Sequence, residues 1–139
     1  MLEGINPLLT GELLKHLDEM GHSDSVVVAD AHFPAHALGA RVMDLPGTST
    51  PAVVEAIRSV LPLDDAPALD LMESADATVL DVQVELMRAA GVDQRATRFV
   101  ERFAYYDDAK TSYLIVRTGE SRKYANALLR KGVVGHSSE

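Results

Sequence analysis

The sequence predicts an α/β protein, and three observations support this fold class. Short apolar runs rich in β-branched residues alternate with segments whose apolar residues recur at helical spacing. Gly, Pro and Ser residues separate the two kinds of segment. The run Ser25–Ala29 is apolar without alternation, as is typical of a strand covered by helices on both faces. Strands that alternate with helices define the α/β class.

The first helix is predicted over Gly11–Met20, because its apolar residues lie three and four positions apart. Thr10 is suited to its N-cap, and Gly21 to a left-handed C′ position, which glycine adopts without a Cβ penalty. The strand Ser25–Ala29 follows, and Asp30 lies where that strand should end. The sequence therefore predicts a helix and then a buried strand before the first acidic loop.

The remaining elements are predicted from apolar periodicity for helices and from short apolar runs for strands. Residues 30–40 should form a loop or a short irregular helix, because Pro34 is tolerated only in a first helical turn. The later elements are, in chain order, a strand at Arg41–Leu45, a helix from a Ser49 or Thr50 cap through Pro51 to Leu61, a strand at Ala68–Met72, a helix at Val82–Ala90 ending at Gly91, a helix at Glu101–Lys110, a strand at Tyr113–Val116, and a final strand from Lys123 in which Ala127–Leu129 also fits a helix.

Length and composition narrow the class of protein. A chain of 139 residues favours one domain, 1–139, because two separate cores would each be marginal. The net charge of −8 disfavours nucleic acid and anionic lipid as partners. The absence of cysteine excludes disulfides, thiolate metal sites and a cysteine nucleophile. The N-terminal residues lack the basic and apolar regions of a signal peptide, so we expect a cytoplasmic protein without membrane association.

One segment concentrates groups that can carry acid–base chemistry. His22, Asp30, His32 and His36 lie within fifteen residues. Asp30 is placed at the carboxyl end of a strand, where open α/β sheets bind ligands, and imidazoles exchange protons near neutral pH. Structural alternatives stay open, because His22 could interact with the carbonyls of a helix end and Asp30 could form an Asx turn. We interpret His32 and His36 as groups that support the loop.

The spacing of His32 and His36 also suits two ligands of one metal ion on a helix. Pro34 disturbs regular helical geometry between them, and the glutamate of a metalloprotease motif is missing. The sequence therefore predicts no metal, although a metal-dependent hydrolase remains an alternative.

A second cluster lies in the last third of the chain. Arg102, Tyr106, Tyr124 and Asn126 offer fixed donors and acceptors for hydroxyl groups, together with aromatic faces for C–H bonds. Such a combination is typical of a sugar site. By contrast, we interpret the pair Asp64-Asp65, in a proline-flanked loop, as part of a solvated turn.

Several segments together resemble the RbsD/FucU family of sugar mutarotases, and within it the fucose branch. The matching segments are Ile5–Leu9, Glu12–Lys15, Glu19–His22, Asp30–His36, Arg102–Tyr106, Thr118–Glu120, Tyr124–Asn126 and Leu128–Val133. The resemblance covers essentially the whole chain, with little signal from residues 41–98. It implies a three-layer α/β/α domain around a mixed sheet.

The resemblance further implies an isomerase that interconverts the anomers of a free monosaccharide, with L-fucose favoured, and needs no cofactor. It assigns proton donation to His22 and substrate contacts to Asp30, Arg102 and the segment Tyr124–Asn126. It also implies a ring-shaped homo-oligomer, commonly a decamer, with sites at subunit contacts, although a dimeric form is known in the wider family. Ala125 stands where the fucose branch has glycine and ribose-type members have alanine, so a D-ribose pyranase remains an alternative, as does a non-catalytic sugar-binding module.

Together these expectations form one spatial hypothesis. His22 and Asp30 should face a common hollow with Arg102, Tyr124 and Asn126, either within one chain or across a contact between chains.

Overall fold

The structure is a computed structural model and describes residues 1–65 and 67–135. Ala66 and the last four residues of the predicted domain lie outside the described part. The elements are α1 Gly11–Glu19, β1 Ser25–Ala29, α2 Ala35–Leu38, β2 Val42–Leu45, α3 Thr50–Arg58, β3 Leu69–Met72, α4 Asp81–Ala90, β4 Thr97–Val100, α5 Arg102–Lys110, β5 Leu114–Thr118 and β6 Ala127–Arg130. A short 3-10 turn, Gln94–Ala96, precedes β4.

The strands form one six-stranded sheet in the order β2-β5-β1-β6-β3-β4. Neighbouring strands are parallel except where β6 pairs with β1 and β3, to both of which it is antiparallel. The carboxyl ends of β1 to β5 and the start of β6 therefore lie along the same side of the sheet. We call this side the carboxyl edge, and the side where β1 begins and β6 ends the amino edge.

Helices cover both faces of the sheet. Apolar residues of α1, α3 and α4 pack on one face, and those of α2 and α5 pack on the other. Strand β1 shows why its sequence has no polar alternation, since Val26 and Val28 face the first core while Val27 and Ala29 face the second. All four are fully buried. The predicted α/β class and its three-layer α/β/α arrangement around a mixed sheet are confirmed.

The ends of several helices follow the predicted chemistry. The hydroxyl of Thr10 accepts a hydrogen bond from the Leu13 amide at 3.2 Å, and the hydroxyl of Ser49 accepts one from the Ala52 amide at 3.2 Å. These bonds satisfy amide groups that a helix leaves unpaired in its first turn. Gly91 ends α4 with a left-handed φ of +68°.

The predicted left-handed conformation of Gly21 is wrong. Helix α1 passes into an extended Met20, and the left-handed residue is Ser23, with φ +71°. The Gly21 amide donates to the Asp24 carboxylate at 2.7 Å, and the Ser23 amide donates to the carbonyl of Lys131 at 2.8 Å. The connection to β1 is thus shaped by a turn that is held against the end of β6.

Two parts of the sheet were not anticipated. Strand β4 was not predicted, because Thr97–Val100 is short, half-buried and contains Arg98; it is the outermost strand next to β3 in the described sheet. The last strand begins at Ala127 rather than Lys123, because Tyr124 has a left-handed φ of +58°.

Among the described residues, no helix is both long and apolar enough to cross a membrane.

Candidate functional site

A cleft of about 340 Å³ opens at the carboxyl edge. Asp30 follows β1, Met72 ends β3, Arg102 begins α5 directly after β4, and Tyr124 and Asn126 precede β6. The strand directions bring these separate chain segments together. The cleft is lined by Asp30, His32, Phe33, Met72, Arg102, Tyr106, Lys123, Tyr124 and Asn126.

Asp30 and Asn126 form the buried floor of this cleft. The Asp30 amide donates to Asn126 Oδ1 at 2.8 Å, and Asn126 Nδ2 donates to Asp30 Oδ2 at 3.2 Å. The amide of His32 donates to Asp30 Oδ1 at 3.0 Å. Burial raises the pKa of Asp30, and these hydrogen bonds to its charged form offset part of that rise. The carboxyl group is therefore fixed in direction and holds its proton more readily than a solvated aspartate.

Arg102 and Tyr106 form one wall, one turn apart at the start of α5. Arg102 Nε donates to the Tyr106 hydroxyl at 2.9 Å, and the rings of Tyr106 and Phe33 pack edge to face with centroids 5.4 Å apart. Phe103, beside Arg102, is 64% exposed. This wall combines a permanent positive charge with aromatic surface, which suits a ligand that carries both hydroxyl groups and C–H faces.

Tyr124 holds an unusual backbone conformation, because its φ of +58° is costly for a residue with a Cβ. The buried side chain of Gln83, in the first turn of α4, lies behind this turn. Gln83 Nε2 donates to the carbonyl of Met72 at 2.7 Å and, over a longer 3.4 Å, to the carbonyl of Tyr124. Gln83 Oε1 accepts from the Leu80 amide at 3.0 Å. One buried amide therefore connects two cleft segments to α4.

His22 does not line this cleft. It lies between α1 and β1 at the amino edge, whereas Asp30 follows β1 at the carboxyl edge. The five residues of β1 span about 16 Å at the usual rise per residue. The part of the hypothesis that placed His22 and Asp30 around one hollow within a single chain is wrong, because a strand crosses the sheet between them.

The surroundings of His22 contain an acidic partner. His22 Nε2 lies 3.2 Å from Asp64 Oδ1, and the Ser23 hydroxyl donates to Asp64 Oδ2 at 2.9 Å. The Ser23 hydroxyl, and to a smaller extent His22, lower the pKa of Asp64. Asp64 thus lies in a surface loop, as predicted for the Asp64-Asp65 pair, and its carboxylate also joins the His22 loop to the segment before β3.

His36 lies outside the cleft and pairs with a carboxylate of β2. His36 Nε2 lies 2.7 Å from Asp44 Oδ2, and Arg117 Nε donates to Asp44 Oδ1 at 2.7 Å. The hydrogen bond from His36 is the largest cause of the lowered pKa of Asp44, followed by that from Arg117. His36 is not among the residues that line the cleft.

Within residues 1–65 and 67–135, no group of three or more His, Asp or Glu side chains is placed to hold a metal ion.

Four contributors to the site were not singled out from the sequence. Phe33, Met72 and Lys123 line the cleft, and Gln83 supports it. Met72 ends a predicted strand, so the rule that ligands bind beyond strand carboxyl ends could have found it. Gln83 lies on the apolar side of a helix, and no local pattern indicates its role.

Comparison with known proteins identifies the family. A family model described as "RbsD / FucU transport protein family" matches residues 3–134. The chain belongs to this family. It is similar to an L-fucose mutarotase of Glaesserella parasuis serovar 5, with 44% identity over 140 residues that cover 96% of each protein. An L-fucose mutarotase of Actinobacillus pleuropneumoniae serotype 5b is 42% identical over 142 residues, covering 96% of this chain and 97% of the relative.

A solved structure shows the same likeness. The fucose mutarotase from Streptococcus pneumoniae, solved in complex with L-fucose, has a TM-score of 0.88 and 31% identity. The match covers 96% of this chain and 99% of that one. The RbsD / FucU fold thus extends over almost the whole chain.

Proposed function

We propose that this protein is a sugar mutarotase, an isomerase that interconverts the anomers of a free monosaccharide without a cofactor, and that its sugar is L-fucose. The observation that carries the proposal is the cleft in which Asp30, Arg102, Tyr106, Tyr124 and Asn126 converge. Family membership and the L-fucose mutarotases among its relatives support the same reaction.

Mutarotation moves two protons. One leaves the anomeric hydroxyl while another reaches the ring oxygen, the ring opens to an aldehyde, and closure on the other carbonyl face reverses both transfers. Asp30 suits proton exchange because burial raises its pKa above that of a solvated aspartate. The family resemblance indicates His22 as the proton donor. Because His22 does not line the cleft of its own chain, the imidazole that acts in a cleft must come from another copy of the chain.

A second copy of the chain can supply His22. Its side chain is 60% exposed, so the imidazole is accessible at the amino edge. If the amino edge of one copy meets the carboxyl edge of the next, each cleft gains an imidazole from its neighbour. Head-to-tail contacts form a ring when the rotation from one copy to the next closes, and we propose such a ring-shaped homo-oligomer, a decamer with sites at subunit contacts.

The other cleft residues hold and orient the sugar. The guanidinium of Arg102 is a charged donor, and its bonds to hydroxyl groups should contribute more affinity than neutral ones. The Asn126 amide, the Tyr124 and Tyr106 hydroxyls and the ring of Phe33 complete the surface. The sugar is neutral, so the net charge of −8 does not oppose its binding. We place this reaction in the cytoplasm.

The test is saturation-transfer NMR of anomer exchange with L-fucose, D-ribose, D-galactose and D-glucose. We expect acceleration for fucose, and in His22→Ala we expect a folded protein whose rate is lower by about 10²–10⁴-fold. Greatest acceleration with ribose would instead support a D-ribose pyranase. This is the second candidate because Ala125, fully buried between Tyr124 and Asn126, matches ribose-type members. Binding without acceleration of any sugar would indicate a non-catalytic binding module and overturn the proposal.

A further inference from the structure

The loop between β1 and β2 carries two histidines whose side chains the structure separates. His32 lines the cleft, and His36 does not. They are four residues apart in one short segment, so composition and spacing treat them alike. Their surroundings indicate different roles.

His36 is held by charged neighbours. Its ring pairs with Asp44 from β2, and Asp44 also binds Arg117 from β5. The ring therefore ties the loop to two strands, which is a structural role. This agrees with the interpretation of His36 as a group that supports its loop.

The ring of His32 has no such partner. Within residues 1–65 and 67–135, the hydrogen bond that His32 makes is through its backbone amide, to Asp30 Oδ1 at 3.0 Å, and its ring nitrogens bond no protein group. This backbone bond closes an Asx turn, which fixes the path of the chain between the two residues. The turn keeps the Asp30 carboxyl and the His32 ring on the same cleft.

The cleft around His32 is rich in groups that bind hydroxyls. Asp30, Arg102, Lys123, Tyr106 and Tyr124 are the titratable groups that share its lining. A neutral imidazole can donate from one nitrogen and accept at the other, so it can pair with a hydroxyl in either sense. A ring that served only to support the loop would be expected to bond a neighbouring protein group, as His36 bonds Asp44 of β2.

We propose that His32 is a substrate-binding residue, whose imidazole hydrogen-bonds a sugar hydroxyl adjacent to the one held by Asp30. The inference rests on the proposed function for the class of ligand, a free monosaccharide. It goes beyond that function by giving the cleft a second contact from the same turn, directed at one particular hydroxyl.

The experiment compares His32→Ala with the matched control His36→Ala. For anomer exchange of L-fucose, we expect kcat/KM to fall roughly five- to tenfold in His32→Ala, mainly through KM, because one hydrogen bond to the sugar is lost. His36→Ala should retain the wild-type kcat/KM. His32→Gln, which keeps a hydrogen-bonding group, should recover part of the loss.

Deoxy analogues of the sugar distinguish contact from loop support. Sugars lacking the 2-, 3- or 4-hydroxyl are titrated with the wild type and with His32→Ala, and Kd is measured by NMR. We expect the loss caused by His32→Ala to vanish for one analogue and to persist for the others. Equal losses for every analogue, or no loss with fucose itself, would overturn the inference.

The two proposals fail in different ways. A wild type that binds these sugars without accelerating their exchange would refute the mutarotase reaction, and the comparison of Kd values would still test His32. A fully active wild type whose affinity is unchanged in His32→Ala would refute the role of His32 alone.

Discussion

The two edges of the sheet carry different halves of the proposed chemistry. At the carboxyl edge, Asp30 and Asn126 are almost completely buried and their polar side-chain atoms take part in a shared network. At the amino edge, the His22 side chain is well exposed and contacts the carboxylate of Asp64. A concave, preorganised edge suits the binding of a small molecule, whereas a projecting imidazole suits insertion into a neighbour. In the proposed assembly, each copy contributes its cleft to one site and its His22 imidazole to the site of a neighbour.

The largest expected effect comes from mixing two inactive variants. His22→Ala lacks the imidazole, and Asp30→Asn lacks the carboxylate. In a ring assembled at random from equal amounts, about a quarter of the sites combine an intact cleft with an intact neighbouring imidazole, so about a quarter of the wild-type activity should return. Anomer exchange is measured on the co-expressed, co-purified variants.

The matched control for this mixture joins Asp30→Asn with Asn126→Leu. Both residues lie in the cleft of a single chain, so no arrangement of subunits rebuilds an intact cleft. This mixture should stay inactive. Failure of the first mixture to exceed the second would contradict a site shared between the two edges.

A smaller effect is expected when His22 is retained but loses the Asp64 carboxylate that orients its imidazole. Asp64→Asn removes the carboxylate 3.2 Å from His22 Nε2 and weakens the bond from Ser23. Misorientation of a proton donor should lower kcat between roughly tenfold and 10²-fold. Steady-state rates are compared with those of Asp65→Asn, which removes the neighbouring charge. Equal losses in the two variants would show that the charge of the loop matters, and not the contact with His22.

The support of Tyr124 should matter still less. Gln83→Met keeps the shape of the side chain but leaves the carbonyls of Met72 and Tyr124 without this donor. The strained turn should loosen, and KM should rise roughly three- to tenfold with little change in kcat. Ile57→Val, fully buried in α3, controls for a loss of stability of about 0.5–1.5 kcal/mol and should leave KM unchanged.

A further variant separates two roles of Gln83. Gln83→Glu keeps an acceptor for the Leu80 amide but loses the amide donors. A raised KM in this variant at pH 8 assigns the effect of Gln83→Met to the lost hydrogen bonds to the carbonyls of Met72 and Tyr124. A wild-type KM would restrict Gln83 to capping α4.

The smallest expected effect is a shift in titration at the carboxyl edge. Burial raises the pKa of Asp30, whereas hydrogen bonds from His36 and then Arg117 lower the pKa of Asp44. Asn126→Leu removes a donor to the charged form of Asp30, so the pKa of Asp30 should rise further while that of Asp44 stays unchanged. Carboxyl ¹³C NMR titration measures both groups. A downward shift at Asp30 would contradict the assigned cause.

These directions also set the sign of their effect on folding. The folded state holds the Asp30 proton more tightly than the unfolded state, so this group's contribution to stability falls as pH rises through its raised pKa. Asp44 acts in the opposite sense, and its contribution is lost as pH falls through its lowered pKa. The carboxylate in the cleft is therefore kept at a cost to stability, which is expected of a group retained for function.

Much of the architecture is present in local patterns. The apolar run of β1, the leucine spacing of α1 and the caps at Thr10 and Ser49 all predicted elements that the structure contains. These features are local because helix and strand periodicities, and the pairing of a cap with its first turn, involve residues within four positions. Strand β4 was missed because a short edge strand with a charged residue carries little of this signal.

The amino-acid sequence by itself determined which side chains could serve a sugar site and where the helices and strands lie, except for β4 and the start of β6. Only the tertiary structure decided which of them meet. Asn126 touches Asp30 although 96 positions separate them, because β6 runs antiparallel beside β1 and starts where β1 ends. His22 is only eight positions from Asp30, yet a strand carries the chain from one edge of the sheet to the other between them. The predicted strand Ser25–Ala29 already implied that separation, because it lies between the two residues. The meeting of Asn126 with Asp30 could not be predicted in this way, because the direction of β6 beside β1 depends on contacts far apart in the chain.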